Sequence, residues 1–150
     1  MASTVSEQTV AEAMTFPPQP APDSDTAGFW QASADGALSM CRCQACGLWL
    51  QPPLERCREC AGETAFEPVS GDGFVYSFIV QRQPAVAGYL DNLPQVIALV
   101  ELDEQTRLRL PTRILGIEPE QVRCGMRVRA ELLDLPGGDY VVPVFRPVGE

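Results

Sequence analysis

Four of the six cysteines in this sequence have the spacing of metal ligands. They form two Cys-x-x-Cys pairs, Cys43 with Cys46 and Cys57 with Cys60, and ten residues separate the pairs. Two such pairs across a short loop bring four thiolates to the corners of a tetrahedral site. Because the chain has no histidine, the site is predicted to be all-sulfur. An all-sulfur site favours structural Zn²⁺ with closed coordination.

Other interpretations of the cysteines remain open. Iron in the same geometry would imply electron transfer, although no flavin or second-cluster signature accompanies it. A redox-active pair is disfavoured because two pairs stand in register. Cys41 lies two residues before the first ligand and is predicted to be a spectator. Cys124, whose only basic neighbour is Arg123, is predicted to be a buried, inert thiol, since a nucleophilic cysteine needs an activated thiolate.

The composition excludes most familiar catalytic arrangements. The 150 residues contain no histidine and no lysine, so all 11 basic residues are arginine. Histidine-based triads and dyads, lysine Schiff bases and lysine phosphate loops are therefore excluded. The formal charge of -9 disfavours nucleic acid, whose binders usually carry a basic field. Asp72, Asp91 and Asp103 lie near predicted strand ends, without a paired-carboxylate signature that would distinguish them from turn residues.

The cellular setting is predicted to be cytoplasmic and reducing. The first 16 residues, MASTVSEQTVAEAMTF, lack the basic and apolar regions of a secretory signal. No apolar run approaches the length of a membrane span, so no membrane contact is expected. In such a compartment, clustered cysteines bind metal more often than they form disulfides.

Four consecutive regions are predicted to position these side chains. Residues 1–24 are interpreted as a flexible, proline-rich tail and residues 25–36 as a short helix that Ser24 or Asp25 could cap. Residues 37–67 are expected to form a rubredoxin-like zinc ribbon, and residues 68–150 a barrel. The helix carries Phe29 and Trp30, which must bury against this chain's own core or against a partner.

The second half of the chain predicts five strands, at residues 74–80, 95–102, 107–110, 127–132 and 140–145. A short helical turn is expected at residues 118–122, after the third strand. This order is typical of a five-stranded OB-fold barrel, although a small Greek-key sandwich fits the pattern too. Strand 95–102 is nearly all apolar and is predicted to be buried on both faces. The predicted fold class is therefore mainly β with one short helix.

In their order along the chain, these motifs resemble a known family. The resemblance covers roughly residues 25–148 and is specific as an ordered combination. It rests on Phe29-Trp30, Asp35-Gly-Ala-Leu38, Arg42-Cys-Gln-Ala-Cys-Gly47, Gln51-Pro-Pro53, Cys57-Arg-Glu-Cys60, Val69-Ser-Gly-Asp-Gly-Phe-Val-Tyr-Ser-Phe78, Ala98-Leu-Val-Glu-Leu-Asp103 and Val142-Pro-Val-Phe-Arg-Pro147. The chain resembles the zinc-ribbon plus OB-fold family of acyl-CoA-associated proteins, long described as a domain of unknown function.

The resemblance implies a non-catalytic accessory subunit of a thiolase-like enzyme. The partner would be a thiolase, a thiolase-type aldolase or an acyltransferase, and it would carry the catalysis. The OB-fold subunit would dock on it and help form the acyl-CoA site or channel, which implies a hetero-oligomer with acyl-CoA at a shared site. The alternative from another class is a nucleic-acid-binding ribbon and OB module, which needs a basic groove with stacking aromatics.

The sequence departs from the family pattern at two places. Ala61 stands where a glycine usually follows the second cysteine pair, which leaves the ligand assignment intact. Residues 104–106, Glu-Gln-Thr, replace an acidic-glycine turn, so a looser hairpin is expected there.

Two further features concern binding. The segment 81–94 is longer than a hairpin needs, and its Tyr89 and Leu90 either contact a partner or an acyl chain or fold back over the barrel mouth. Arg82 beside it offers a planar fork to a CoA phosphate. The alternating arginines are predicted to form a solvated sheet face paired with acids such as Glu131, in preference to a phosphate-binding patch. They are Arg107, Arg109, Arg127 and Arg129.

Overall fold

A small sheet and a closed barrel make up the protein, in a computed structural model that describes residues 16–83 and 88–149. One α-helix, α1 (Ala27–Ala34), precedes eight strands in these residues, and single-turn 3-10 helices lie at Leu90–Asn92 and at Pro119–Gln121, where a helical turn was predicted. The strands are β1 (Ser39–Cys43), β2 (Trp49–Leu50), β3 (Thr64–Pro68), β4 (Asp72–Gln81), β5 (Gln95–Leu102), β6 (Arg109–Ile114), β7 (Arg127–Asp134) and β8 (Val141–Pro147). Strands β1 to β3 form a sheet in the order β2-β1-β3, and the others close a barrel in the order β4-β5-β6-β8-β7. The mainly β class with a five-stranded barrel is confirmed, and the sandwich alternative is wrong. None of the helices in the described residues is long and apolar enough to span a membrane.

The barrel closes where β8 meets β6. This contact is parallel, with Ile114 opposite Phe145, and the amide of Leu115 donates to the carbonyl of Phe145 at 2.9 Å. The Phe145 side chain is fully buried among inward residues of the other strands, such as Val75 and Val128. Closure removes the two free edges that an open five-stranded sheet would leave.

The ribbon sheet and the barrel share one hydrophobic core. Leu38, Met40 and Trp49 come from the ribbon side, yet they belong to the same buried cluster as the barrel residues. A smaller cluster surrounds the cysteines and contains Cys41 and Leu50. A ribbon of about 30 residues is too small to bury a core alone, and the core that it shares with the barrel contributes to its stability.

Strand β5 is not buried on both faces as predicted. Its inward residues Val96, Ala98 and Val100 are nearly inaccessible, whereas Ile97 and Leu99 on the outward face are partly exposed. The apolar run arises because both faces carry aliphatic side chains, although only one faces the barrel interior. In the described residues, no second layer covers the outward side of β5.

The third barrel strand begins later than predicted. Arg107 has a φ of 70° and belongs to the preceding turn, so β6 starts at Arg109. That turn is firmly held, contrary to the looser hairpin that we expected. A Glu104 carboxylate oxygen accepts from the Ser70 amide at 2.6 Å, and the Gln105 side chain bonds to the backbone of Trp49.

The segment before α1 packs on the barrel. Pro17 is buried, and the Gln19 side chain donates to the carbonyl of Pro136 at 2.9 Å. Residues 16–24, which the sequence assigns to a flexible tail, therefore include a packed portion, while residues 1–15 lie outside the described residues. The helix N-cap is Thr26, so the prediction of Ser24 or Asp25 at that position is wrong.

Candidate metal centre

The four predicted ligand sulfurs converge at one end of the ribbon. All four Sγ atoms lie within 4.8 Å of one another. The Sγ atoms of Cys43 and Cys60 are 3.5 Å apart, and those of Cys46 and Cys57 are 3.7 Å apart. A tetrahedron built on metal–sulfur bonds of about 2.3 Å has edges of about 3.8 Å. The spacing therefore fits one tetrahedral ion, and these four cysteines can hold a metal.

Backbone amides support the sulfurs in both knuckles, the tight turns that each Cys-x-x-Cys pair forms. The amides of Ala45 and Cys46 each lie 3.4 Å from the Cys43 sulfur, and the amide of Glu59 lies 3.4 Å from the Cys57 sulfur. Such amide donors stabilise negative charge on sulfur. The knuckle geometry therefore favours thiolates, the form that binds metals.

The charge balance of the cluster also fits a cation. The hydrogen bond from the Cys46 amide lowers the pKa of the Cys43 thiol to about 6, against the opposing effect of burial. The Leu48 amide lowers the pKa of Cys46, but the Cys43 sulfur, burial and the other two sulfurs together raise it to about 12. One thiolate thus forms readily and resists ionisation of its neighbour. A bound dication removes this conflict, because it compensates several thiolates at once.

Gly62 allows the second knuckle to close on the cluster. A Cβ at this position would lie 2.8 Å from Ala45 Cβ and 3.0 Å from Cys43 Sγ, which is closer than real side chains approach. The space beside the sulfurs therefore leaves no room for a side chain at position 62. This contact is an independent sign that the loop is built around the four sulfurs.

The two knuckles end differently. Gly47 follows the first pair with a φ of 78°, a left-handed conformation that glycine adopts without cost. Ala61 follows the second pair with a φ of 59°, and its Cβ makes that conformation unfavourable. Its amide nevertheless donates to the Cys57 carbonyl at 2.9 Å, which closes the turn. Alanine is thus retained at a position that favours glycine.

Ala61→Gly is therefore expected to stabilise the protein. Relief of the left-handed alanine gains about 1–2 kcal/mol, and the greater freedom of glycine in the unfolded chain removes part of this. A net gain of about 0.5–1 kcal/mol in the free energy of unfolding is expected, measured by denaturant titration of the metal-loaded protein. Ala45→Gly is the matched control and should destabilise the protein, because Ala45 has no left-handed φ to relieve. Equal effects of the two changes would contradict the assignment of strain to Ala61.

The other two cysteines lie apart from this cluster. Cys41 is buried, and its Sγ lies 3.6 Å from the carbonyl of Leu54, so it takes the position of a spectator. Cys124 is exposed, and the prediction of a buried thiol is wrong. Its turn, which continues through Gly125, precedes β7 at the surface, beside a groove of about 780 Å³. Its flanking residues, Arg123 and Gly125, do not by themselves distinguish a buried thiol from an exposed one.

The two aromatic residues of α1 contact this chain. The rings of Phe29 and Trp30 meet edge to face with centroids 5.0 Å apart, and Trp30 makes a similar contact with Tyr140 at 5.6 Å. Phe29 also packs against the barrel core. Both rings are partly exposed, so a partner can still reach them.

The candidate contact residues between β4 and β5 occupy different environments. Arg82 is exposed and pairs with Glu120 at 3.3 Å, so its guanidinium already has a carboxylate. The ring of Tyr89 lies 5.1 Å from the guanidinium carbon of Arg113. Leu90 is 60% exposed. The described residues do not bring these three side chains to the sulfur cluster.

Three of the four alternating arginines are paired with acids, as predicted, whereas Arg107 lies in the turn before β6. Arg109 lies 3.1 Å from Glu101, Arg127 lies 2.5 Å from Asp103 and Arg129 lies 2.7 Å from Asp72. The expected partner Glu131 pairs instead with Arg146. Arg127 holds the pKa of the Asp103 carboxyl below its ordinary value through their hydrogen bonds. These arginines are largely neutralised, which weakens the case for a phosphate patch.

Two residues that shape the site were missed in the sequence. Arg42 donates to the Gly47 carbonyl at 2.9 Å and lies 4.7 Å from the Trp49 ring, so it braces the first knuckle. Gln105 exchanges two hydrogen bonds of 3.0 Å with the backbone of Trp49 and so joins the barrel to the ribbon. The position of Arg42 beside a ligand was a usable signal. Gln105 is 56 residues from Trp49, and nothing local to it predicts the pairing.

Comparison with known proteins identifies the family of this chain. Residues 66–133 match the model of the ChsH2 C-terminal OB-fold domain. The chain is 36% identical over 143 residues to a probable enoyl-CoA hydratase alpha subunit of Thermomonospora curvata. This alignment covers 94% of this chain but 43% of that relative. It is 30% identical over 115 residues to a DUF35 domain-containing scaffold protein of Methanothermobacter thermautotrophicus, covering 75% of this chain and 74% of the relative. The chain thus spans less than half the length of the hydratase relative.

A solved structure gives the same result at the level of the fold. The Ltp2-ChsH2(DUF35) aldolase structure contains a chain that superposes with a TM-score of 0.78 at 35% sequence identity. The match covers 86% of this chain and 98% of that one. Sequence and structure agree with the resemblance seen in the motifs, and the chain belongs to the DUF35 family of OB-fold, acyl-CoA-associated proteins.

Proposed function

We propose that this chain is a non-catalytic OB-fold subunit that docks on a thiolase-fold enzyme and helps form its acyl-CoA site. The observation that carries the proposal is the match over 98% of a chain in the Ltp2-ChsH2(DUF35) aldolase structure. The partner's reaction would be thiolysis, retro-aldol cleavage or acyl transfer, and the working form would be a hetero-oligomer. The lack of histidine and lysine agrees with catalysis on another chain.

We further propose that Cys43, Cys46, Cys57 and Cys60 hold a structural Zn²⁺. The all-sulfur donor set and the tetrahedral spacing support zinc, which in such closed sites contributes folding energy and leaves no position for substrate. When bound, the ion clamps the two knuckles together. The residues of this chain then orient the thiolates through amide hydrogen bonds and exclude a side chain at Gly62. Visible absorbance from an iron–sulfur centre in the purified protein would contradict zinc.

Activity should require both chains. We expect the chain alone to show no acyl-CoA thiolysis and no retro-aldol cleavage, and the thiolase-fold partner alone to be poorly active or insoluble. Co-expression of the chain with each thiolase-fold protein from the same genome should give one complex that is active with an acyl-CoA substrate. Formation of the complex is measured by size-exclusion chromatography with light scattering. Failure of every pair to associate would refute the proposed function.

A second candidate follows from the hydratase relative, whose length exceeds that of this chain. In that case the chain would serve beside an enoyl-CoA hydratase. Addition of the chain to hydratase-fold proteins of the same genome, with hydration of an enoyl-CoA as the readout, distinguishes the two candidates. The nucleic-acid alternative is tested by low-salt filter binding to single-stranded DNA, and micromolar or tighter binding would favour it.

A further inference from the structure

The outward side of strands β4, β5 and β6 is an apolar surface without a covering layer in the described residues. Because side chains alternate along a strand, the register identifies which residues share this side. Ile79 lies opposite Ile97, which lies opposite Arg113, and Ser77 lies opposite Leu99, which lies opposite Pro111. We call this surface the outer face and define it by Tyr76, Ile79, Ile97, Leu99, Pro111 and Arg113.

The outer face exposes several large apolar side chains. Ile79 is 63% exposed and Tyr76 is 45% exposed, while Pro111 is also exposed. Leu90 in the neighbouring loop is 60% exposed, and Tyr89 of that loop contacts Arg113, so the apolar surface continues into the loop. Contiguous exposed apolar surface on a soluble protein marks a site of interaction.

The charges on the outer face indicate what covers it. Glu101 on this side is already paired with Arg109, whose guanidinium also stacks on the Tyr76 ring at 3.5 Å. Arg113 lies over Tyr89 and has no carboxylate partner among the described residues. The outer face is therefore apolar with one unpaired positive charge, on a chain whose net charge is -9.

These charges argue against two other occupants. A second copy would bring two chains of charge -9 together, and such charge opposes self-association. A single strand of nucleic acid needs exposed aromatic rings for stacking, whereas this face is mainly aliphatic and one side of its Tyr76 ring carries the Arg109 guanidinium. The grooves beside Cys124, Phe66 and Trp30 do not include Ile79, Ile97 or Leu99, and an open strand face suits a protein surface better than a small ligand.

We infer that the outer face is the surface through which this chain docks on its enzyme partner. This inference rests on the proposed function and adds the location of the docking surface on this chain. The partner presents an apolar patch that covers Ile79, Ile97 and Leu99, with a carboxylate placed opposite Arg113. The strand pair β5 and β6 is also the side on which OB folds commonly bind their ligands.

Charge substitutions on the outer face test the inference. Ile79→Asp introduces a charge into the centre of the contact, and Arg113→Glu opposes the partner's carboxylate. Each is expected to weaken binding by about 30-fold or more, because both changes bury an unpaired charge at the interface. Val148→Asp is the matched control, since Val148 is an exposed aliphatic residue away from the outer face. The affinity of this variant for the partner should stay within about threefold of the wild-type value.

The measurement uses the full chain and the thiolase-fold protein that forms a complex with it, with the affinity obtained by isothermal titration calorimetry. Metal content and denaturation midpoints show that each variant is folded. If the complex forms but both outer-face variants bind as tightly as the control, the location is wrong and the proposed function stands. If no thiolase-fold protein binds the wild type, both fail. Dimers of the isolated chain that Ile79→Asp converts to monomers would make the outer face a self-association surface and refute the inference.

Discussion

Cys43→Ser is expected to abolish stoichiometric metal binding and to unfold the ribbon. The change removes the thiolate that the knuckle amides stabilise and leaves a hydroxyl that does not ionise at neutral pH. Apparent binding energies of structural zinc sites are about 10–16 kcal/mol, whereas an entire domain is stable by about 5–15 kcal/mol. Loss of a ligand therefore removes an amount comparable to the whole stability of the ribbon.

Metal content by elemental analysis and Trp49 fluorescence during denaturation test this prediction. Trp49 lies in β2, and its ring lies 4.7 Å from the Arg42 guanidinium, so in a Trp30→Phe background, which removes the other tryptophan, its emission reports the state of the first knuckle. Cys124→Ser is the matched control, because Cys124 is exposed and lies outside the cluster. The control should keep one metal per chain and its stability within about 0.5 kcal/mol of the wild type. A Cys43→Ser protein that is metal-free yet has the wild-type denaturation midpoint would disprove the structural role of the metal.

Phe145→Ala is expected to cost about 3–5 kcal/mol of stability, the range for deletion of a fully buried aromatic side chain. Phe145 is inaccessible to solvent, and its backbone lies opposite Ile114 in the short parallel pairing between β6 and β8. The cavity would open at this seam, where the other described hydrogen bond between the two strands runs from the Thr112 hydroxyl to the Pro143 carbonyl at 3.2 Å. The loss should therefore lie near the upper end of that range.

Urea denaturation of the metal-loaded protein, followed by circular dichroism, measures this loss. Phe145→Leu keeps most of the volume and should cost about 1.5 kcal/mol or less. A shift of less than about 1 kcal/mol for Phe145→Ala would show that the seam can collapse onto the vacated space. That result would contradict the role of Phe145 in barrel closure.

The parts of the fold that could be predicted depend on local patterns. The cysteine spacing predicts four ligands that do lie together, since a Cys-x-x-Cys pair fixes its own turn. Alternating side chains predict five barrel strands, although the start of β6 was misplaced because Arg107 adopts a left-handed turn conformation. A positive φ in a non-glycine residue leaves no mark in an alternation pattern.

The parts that could not be predicted depend on contacts between distant residues. The burial of β5 on one face only follows from what lies beyond the sheet, and an apolar sequence reads the same whether its second face meets a layer of this chain or of another protein. The exposure of Cys124 likewise follows from the position of its turn at the surface. The pairing of Gln105 with Trp49 joins segments 56 residues apart.

That pairing links the ribbon to the proposed docking surface. Gln105 lies in the turn between β5 and β6, two of the three strands of the outer face, and its two hydrogen bonds end on the ribbon strand that follows the first knuckle. We expect a chain without metal to lose this anchor, so that hydrogen exchange in the turn accelerates when zinc is removed. Unchanged hydrogen exchange in this turn would show that loss of metal from the ribbon does not affect the barrel. If the four cysteines hold zinc and the outer face docks on an enzyme, as proposed, metal loading would act as a checkpoint, and only a metal-loaded subunit would present an ordered surface to its partner.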